Sequence, residues 1–330
     1  MKNQQYKIAL IGAGTIGTSL ANILAETGRE NILLHSIESQ IVEEINRTQI
    51  NSKYFPTLHL NPGLHATTDN KLLEYAKIIF LAIPSVAMID YLKKIASHIP
   101  PDAILINLAK GFGNGNRTIL ECLKDEFPNP VCTMKGPSFA REIINRLPTG
   151  FTLGSENPDH VLKIREIFTN TNIHIDYSDD TRGVEILSIL KNIYAIALGI
   201  VDAQFNSPNL RFLILTRAFK EMRKVLVFAG GKIDTLFNYC GYGDFTLTAL
   251  NDLSRNRTLG LLIGKGFFTE HVSHELVLEG KTAVDVFYEL IAKTMSVEVS
   301  FPIIAELYHI FHSKYDISLF VNTVLNNPES

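Results

Sequence analysis

The sequence predicts an α/β architecture: a doubly wound parallel sheet, followed by an all-α second domain. Three observations predict it. An apolar strand at the start runs straight into a glycine-spaced turn and a helix. The first half then alternates apolar runs with helical periods. From about Thr181 long helical periods dominate and strand signals almost vanish. The chain has 330 residues, enough for two domains, expected at 1–180 and 181–330. With 46% apolar and 20% charged residues, it has the composition of a globular protein.

Residues 6–11 read as a buried strand. Gly12-Ala13-Gly14-Thr15-Ile16-Gly17 follows, and each glycine has a mechanical job. Gly12 permits the tight turn, Gly14 lets the backbone approach a pyrophosphate, and Gly17 lets the next helix pack close to the sheet. That helix, residues 18–25, starts with free N–H groups and a dipole that favours negative charge. In this context the turn marks a Rossmann-type dinucleotide site. A second strand at 31–35 and a helix at 37–48 follow. Residues 77–83 form a strand bounded by Pro84, and 85–98 an amphipathic helix. Strands at 103–109, 131–134, 151–154 and 173–177 complete the sheet. The run Ser178-Asp179-Asp180-Thr181 is the boundary, with Asp180 or Thr181 as a helix cap. Helices are then expected at 184–203, 209–229, 255–265, 282–294 and 301–311. A cleft between two such domains is a usual place for a substrate.

The net charge of −3 gives no reason to expect nucleic acid or an anionic membrane as partner. Residues 1–5 carry no apolar signal-peptide core, which suggests a cytoplasmic protein. Cys122, Cys132 and Cys240 are too few and scattered for a disulfide framework or a zinc site. His271 and His274 lack a metal partner at a telling interval, so no metal is expected. Residues 184–201 are apolar enough to raise the question of a membrane span. Lys191 and Asn192 near the middle favour a helix buried in protein instead.

Three clusters could carry chemistry. Lys191 lies among Ile189, Leu190, Ile193, Ala195 and Ile196. A desolvated ammonium there could exchange a proton near neutral pH, as ketone reduction needs. It could equally snorkel outward or pair with a carboxylate. Ser254 could cap a helix whose first turn holds Arg255 and Asn256, which suits a phosphate or simply a solvated surface helix. Gly136-Pro137-Ser138-Phe139-Ala140 and Lys110-Gly111 follow strands, where such sheets bind ligands, although a plain turn is the alternative.

Taken in order, the motifs resemble the bacterial-type NAD(P)-dependent glycerol-3-phosphate dehydrogenases. They are GAGTIGTSLA, Tyr54-Phe55-Pro56, Ala66-Thr67-Thr68-Asp69, Ala82-Ile83-Pro84-Ser85, Lys110-Gly111 and GPSFA from Gly136. Then come Leu190-Lys191-Asn192, Thr216-Arg217, Glu221-Met222, Gly241-Tyr242-Gly243-Asp244, Ser254-Arg255-Asn256 and Leu278-Glu279-Gly280. The resemblance implies reversible reduction of dihydroxyacetone phosphate to sn-glycerol 3-phosphate by NADH or NADPH, feeding phospholipid synthesis. It implies Lys191 as proton donor and acceptor. Lys110, Gly136, Ser138, Asp244, Ser254, Arg255 and Asn256 would line the substrate site. Gly12, Gly14, Thr15, Ile16, Gly17, Lys110, Ala140, Arg255 and Glu279 would contact the cofactor.

The chain departs from the family pattern in lacking Trp, with Ile16 in its place in the glycine turn. His35-Ser36-Ile37-Glu38 leaves NAD against NADP undecided. Residues 203–213 carry Arg211 and Phe212 where the family has small residues. That leaves open a different small phosphorylated or acidic keto substrate, or only a repacked helix. A dinucleotide-binding sensor without turnover is a further alternative, and a homodimer through apolar helical faces is plausible.

Overall fold

The computed structural model describes residues 6–28, 30–267 and 274–327, the side chains of 274–277 excepted. His271 and the His274 side chain lie outside this set. The chain divides into two compact units, Met1–Thr181 and Arg182–Ser330.

The first unit is an eight-stranded sheet clothed by helices. Its elements are β1 (Ile8–Ile11), α1 (Thr15–Glu26), β2 (Ile32–His35), α2 (Ser39–Thr48), β3 (Leu64–Thr67), β4 (Ile78–Leu81) and α3 (Ser85–Ile95). Next come β5 (Ile104–Asn107), α4 (Ile119–Glu126), β6 (Val131–Lys135), α5 (Ala140–Ile144), β7 (Thr149–Gly154), α6 (Pro158–Ile167) and β8 (Ile173–Ser178). The strand order is β3-β2-β1-β4-β5-β6-β7-β8, parallel throughout except for the antiparallel β6–β7 pair. Strands β1, β2, β4 and β5 are buried along their whole length, as parallel strands covered on both faces must be. One layer of core joins Leu10, Leu20, Leu34 and Phe80; the other joins Ile11, Leu33, Leu81 and Leu105.

Strand β3 has no counterpart among the strands expected from the sequence. Leu64-His65-Ala66-Thr67 sits at the sheet edge and lacks a continuous apolar run. Chain order reverses at β1, whose neighbours are β2 and β4. A reversal of this kind opens a crevice at the carboxyl ends of the strands.

The second unit is helical. It comprises α7 (Thr181–Gln204), α8 (Pro208–Phe228), α9 (Asp244–Leu250), α10 (Arg255–Gly264), α11 (His274–Ala292), α12 (Val297–Ser300), α13 (Pro302–His312) and α14 (Phe320–Asn326). Helix α11 begins eight residues before its expected start at 282. Helix α7 is long and apolar enough to cross a bilayer, but 94% of its most apolar window is buried, as a core helix requires. Helices α7 and α10 touch backbone to backbone. A Cβ on Gly199 would lie 2.3 Å from the Arg257 carbonyl oxygen, and one on Gly260 2.0 Å from that of Ile196.

Candidate active site

In the sheet unit the chemistry gathers at the carboxyl edge. Gly12 has φ +111°, and a Cβ there would lie 2.4 Å from the Ala82 carbonyl oxygen. Gly17 sits closer still, its missing Cβ 1.9 Å from the Gly12 oxygen. These two contacts let α1 start hard against β1. Gly14 is the N-cap of α1, in extended conformation, with no side chain bonded to the helix end and no acidic residue in the first turn. A Cβ on Gly14 would meet nothing within 4 Å. First-turn N–H groups of an α-helix, here those of Thr15 and Ile16, have no intrahelical partner, and the Gly14 position before them is clear. An anionic pyrophosphate fits this end on both counts, donors and room. Thr15 is exposed and Ile16 half-buried.

Asn51 holds the turn from below, a role the sequence did not reveal. Its Nδ2 donates to the Ala13 carbonyl at 3.0 Å and to Thr18 Oγ1 at 3.0 Å. Ser19 Oγ shares its proton between the Thr15 carbonyl at 2.7 Å and the Ala140 carbonyl at 2.9 Å, which ties the start of α5 to α1. Farther along the same edge, Lys110 Nζ donates to the Gly136 carbonyl at 3.1 Å, and Ser138 Oγ donates to the same oxygen at 2.8 Å. So Lys110, Gly136 and Ser138, separate in sequence, converge on one atom. Lys135, which carries no local signal of a site, is wholly buried beside them.

In the helical unit Lys191 is 4% exposed. Its Nζ donates to Asp244 Oδ1 at 2.6 Å and to Thr248 Oγ1 at 3.0 Å. Of the three possibilities left open for this lysine, snorkelling is excluded and pairing is present. The Thr248 hydroxyl spends its own proton on the Asp244 carbonyl at 2.7 Å, which leaves a lone pair for the ammonium. Thr248 was legible only as the residue one turn after Asp244. The carboxylate and the hydroxyl together fix the direction of the amine.

Ser254 caps α10, its Oγ accepting from the Arg257 N–H at 3.3 Å. Arg255, exposed, and Asn256, half-buried, stand in the first turn as expected. The preceding loop is braced by Arg257, buried and ion-paired with Asp202 and with Asp252, and bonded to the Ala249 carbonyl at 3.2 Å. Asp202 Oδ1 also receives Arg211 Nε at 2.6 Å. Glu279 stands exposed on α11, and among the described residues no hydrogen bond joins it to the Lys191 cluster. Its neighbour Gly280 packs on Ile196 of α7.

Glu221 is a buried carboxylate that sequence reading could place only in a motif. It accepts the Ile303 and Ile304 N–H groups at the start of α13, each at 3.0 Å, and the Tyr194 hydroxyl at 3.4 Å. Burial nonetheless pushes its pKa up to about 7. Among the described residues no cluster of three His, Cys, Asp or Glu side chains could hold a metal.

Two family models match the chain. The N-terminal model of NAD-dependent glycerol-3-phosphate dehydrogenase covers residues 7–161, and its C-terminal counterpart covers 180–322. A glycerol-3-phosphate dehydrogenase [NAD(P)+] of Clostridium botulinum is 33% identical over 97% of each chain. One from Methanothermobacter thermautotrophicus is 33% identical over 95% of this chain and 96% of its own. The crystal structure of glycerol-3-phosphate dehydrogenase from Coxiella burnetii superposes with a TM-score of 0.85 at 31% identity, covering 98% of this chain and 99% of that one.

Proposed function

Because the chain belongs to the NAD-dependent glycerol-3-phosphate dehydrogenase family, we propose that it interconverts dihydroxyacetone phosphate and sn-glycerol 3-phosphate, with Lys191 as general acid and base. The observation that carries this is the buried Lys191–Asp244–Thr248 cluster. When bound, NAD(H) or NADP(H) supplies or accepts the hydride at the carbonyl carbon. The residues of this chain do the rest. In reduction, Lys191 Nζ gives a proton to the carbonyl oxygen as negative charge develops there. In oxidation it takes the hydroxyl proton back. Asp244 and Thr248 hold the amine in place through both directions.

Gly12, Gly14, Thr15, Ile16 and Gly17 form the pyrophosphate-binding turn in this reading, with Lys110, Ala140, Arg255 and Glu279 as further cofactor contacts. Lys110, Gly136 and Ser138 are substrate contacts in the same reading. Ser254, Arg255 and Asn256 take the phosphate at the N-terminus of α10, where charge, bidentate donors and dipole combine. The alternative of a different keto substrate rested on Arg211 and Phe212. Arg211 is engaged by Asp202, and Phe212 is 55% exposed. Both facts favour a repacked helix end over a remodelled substrate site. The three buried cysteines, none of them in a disulfide among the described residues, fit a reducing, cytoplasmic setting. Exposed apolar side chains on the helical unit, such as Phe212 and Phe237, leave room for a homodimer, which size-exclusion chromatography reads directly.

The test is to mix pure protein with NADH or NADPH and dihydroxyacetone phosphate, then follow loss of reduced nicotinamide. Turnover supports the reading. Oxidation only with other keto compounds moves it to the alternative substrate, and cofactor binding without turnover moves it to a sensor.

A further inference from the structure

We propose that Lys135 is a positioning residue for the substrate site: it locks the backbone that presents Lys110, and the two lysines clasp neighbouring strand ends reciprocally. The inference rests on the proposed reaction above.

The geometry is specific. Lys135 is the last residue of β6 and is fully buried. Its Nζ reaches sideways to the end of β5, donating to the Asn107 carbonyl at 3.1 Å and to the Ala109 carbonyl at 2.5 Å. Those are the last carbonyl of the strand and the carbonyl immediately before Lys110. Lys110 reaches back the other way, donating to the carbonyl of Gly136, the residue after Lys135. Each lysine thus ties down the backbone that carries the other. Asn107 adds a third tie, its Oδ1 accepting from the Ala109 N–H at 2.9 Å.

Regular ladder bonding stops here. The parallel pairing of β5 with β6 ends at Asn107 with Thr133. Beyond it the Asn107 and Ala109 carbonyls take side-chain donors instead: Thr133 Oγ1 at 3.4 Å and Asn107 Nδ2 at 3.5 Å are the longer contacts, and Lys135 Nζ makes the shorter one at each. A serine or threonine at 135 would be too short to reach across to the neighbouring strand. A lysine spans the gap and supplies several donors from one atom. The clasp therefore sets where the Lys110 ammonium and the Gly136–Ser138 turn stand before substrate arrives. Preorganisation of this kind is what substrate-binding groups require, and a displacement of about 1 Å can cost about 100-fold in rate.

The test is a double-mutant cycle with Lys135→Met and Lys110→Met, each alone and together. Wild-type turnover of dihydroxyacetone phosphate checks the underlying reaction; the variant ratios check the clasp. Lys135→Met should raise KM for dihydroxyacetone phosphate by about ten-fold or more, with NADH affinity falling no further than it does in Lys110→Met. In the double variant it should add less than about three-fold to the effect of Lys110→Met, because Lys110 is then absent and needs no presentation. Lys135→Gln, which keeps a shorter donor, should fall between wild type and Lys135→Met and serves alone if the methionine variant does not fold. An unchanged KM in either Lys135 variant overturns the proposal. So do losses that multiply in full in the double variant, or a loss of NADH affinity greater than that of Lys110→Met, which would mark a general structural role.

Discussion

Asp244→Asn separates the structural from the chemical role of the Lys191 pair. The side chains of Lys191 and Asp244 are 5% and 2% exposed, with Nζ and Oδ1 2.6 Å apart. At an effective dielectric of 20 the attraction is about 6 kcal/mol, before the cost of taking both charges out of water. Stranding one partner of such a pair costs about 3–5 kcal/mol. Asparagine keeps an acceptor for the ammonium, and Thr248 remains at 3.0 Å, so the low end, about 3 kcal/mol, is expected. For a unit of this size that lowers Tm by roughly 10 °C. Lys191→Met combined with Asp244→Asn removes the stranded charge and should restore at least half of the lost Tm. Both single variants and the double should be nearly inactive. Differential scanning calorimetry beside the nicotinamide assay reads both effects. An Asp244→Asn protein with a Tm within a few degrees of wild type, or a double variant no more stable than the single, would show that the Lys191–Asp244 pair does not hold the helical unit together.

Arg255→Ala should raise KM for dihydroxyacetone phosphate about 30-fold, the loss of a charge-assisted phosphate contact of about 2 kcal/mol; steady-state kinetics that show no change would remove Arg255 from the site. Gly17→Ala places a methyl 1.9 Å from the Gly12 oxygen and 3.1 Å from the Ala82 methyl. The overpacking costs about 1–3 kcal/mol, against a helix-propensity gain of about 1 kcal/mol, and NADH affinity measured by fluorescence titration should drop about ten-fold or more. Glu221 is predicted to make stability depend on pH. Its folded pKa of about 7 lies above the ordinary glutamate value, so the folded state binds that proton more tightly. Its contribution is full below about pH 4 and is lost as pH rises through 7, a swing of roughly 3 kcal/mol. Glu221→Gln has no such proton, so its Tm deficit relative to wild type should shrink from pH 5 to pH 8; a constant deficit contradicts the assignment.

Features governed by local sterics were legible in the sequence. Gly12 and Gly17 announce a close approach because no other residue fits, and the observed Cβ clashes are of that kind. Ser254 announced its cap because its hydroxyl bonds three residues ahead. Features that depend on distant partners were not legible. Lys191 and Asp244 are 53 residues apart, and nothing local says that they meet. Lys135 reads as a polar strand terminator until β5 is seen beside it. Arg257 reads as a solvated arginine of a surface helix and Glu221 only as part of a motif, yet one is buried against Asp202 and the other against the start of α13. The β6–β7 reversal and the edge strand β3 escaped because strand direction and weak edge pairing are set by tertiary context.

The most direct measurement compares Lys191→Met with wild type for both nicotinamide oxidation and NADH affinity. If Lys191 is the general acid, kcat should fall about 10³-fold with the NADH dissociation constant within about two-fold, since its loss affects chemistry and not the glycine turn. A variant that still turns over dihydroxyacetone phosphate within ten-fold of wild type would contradict it.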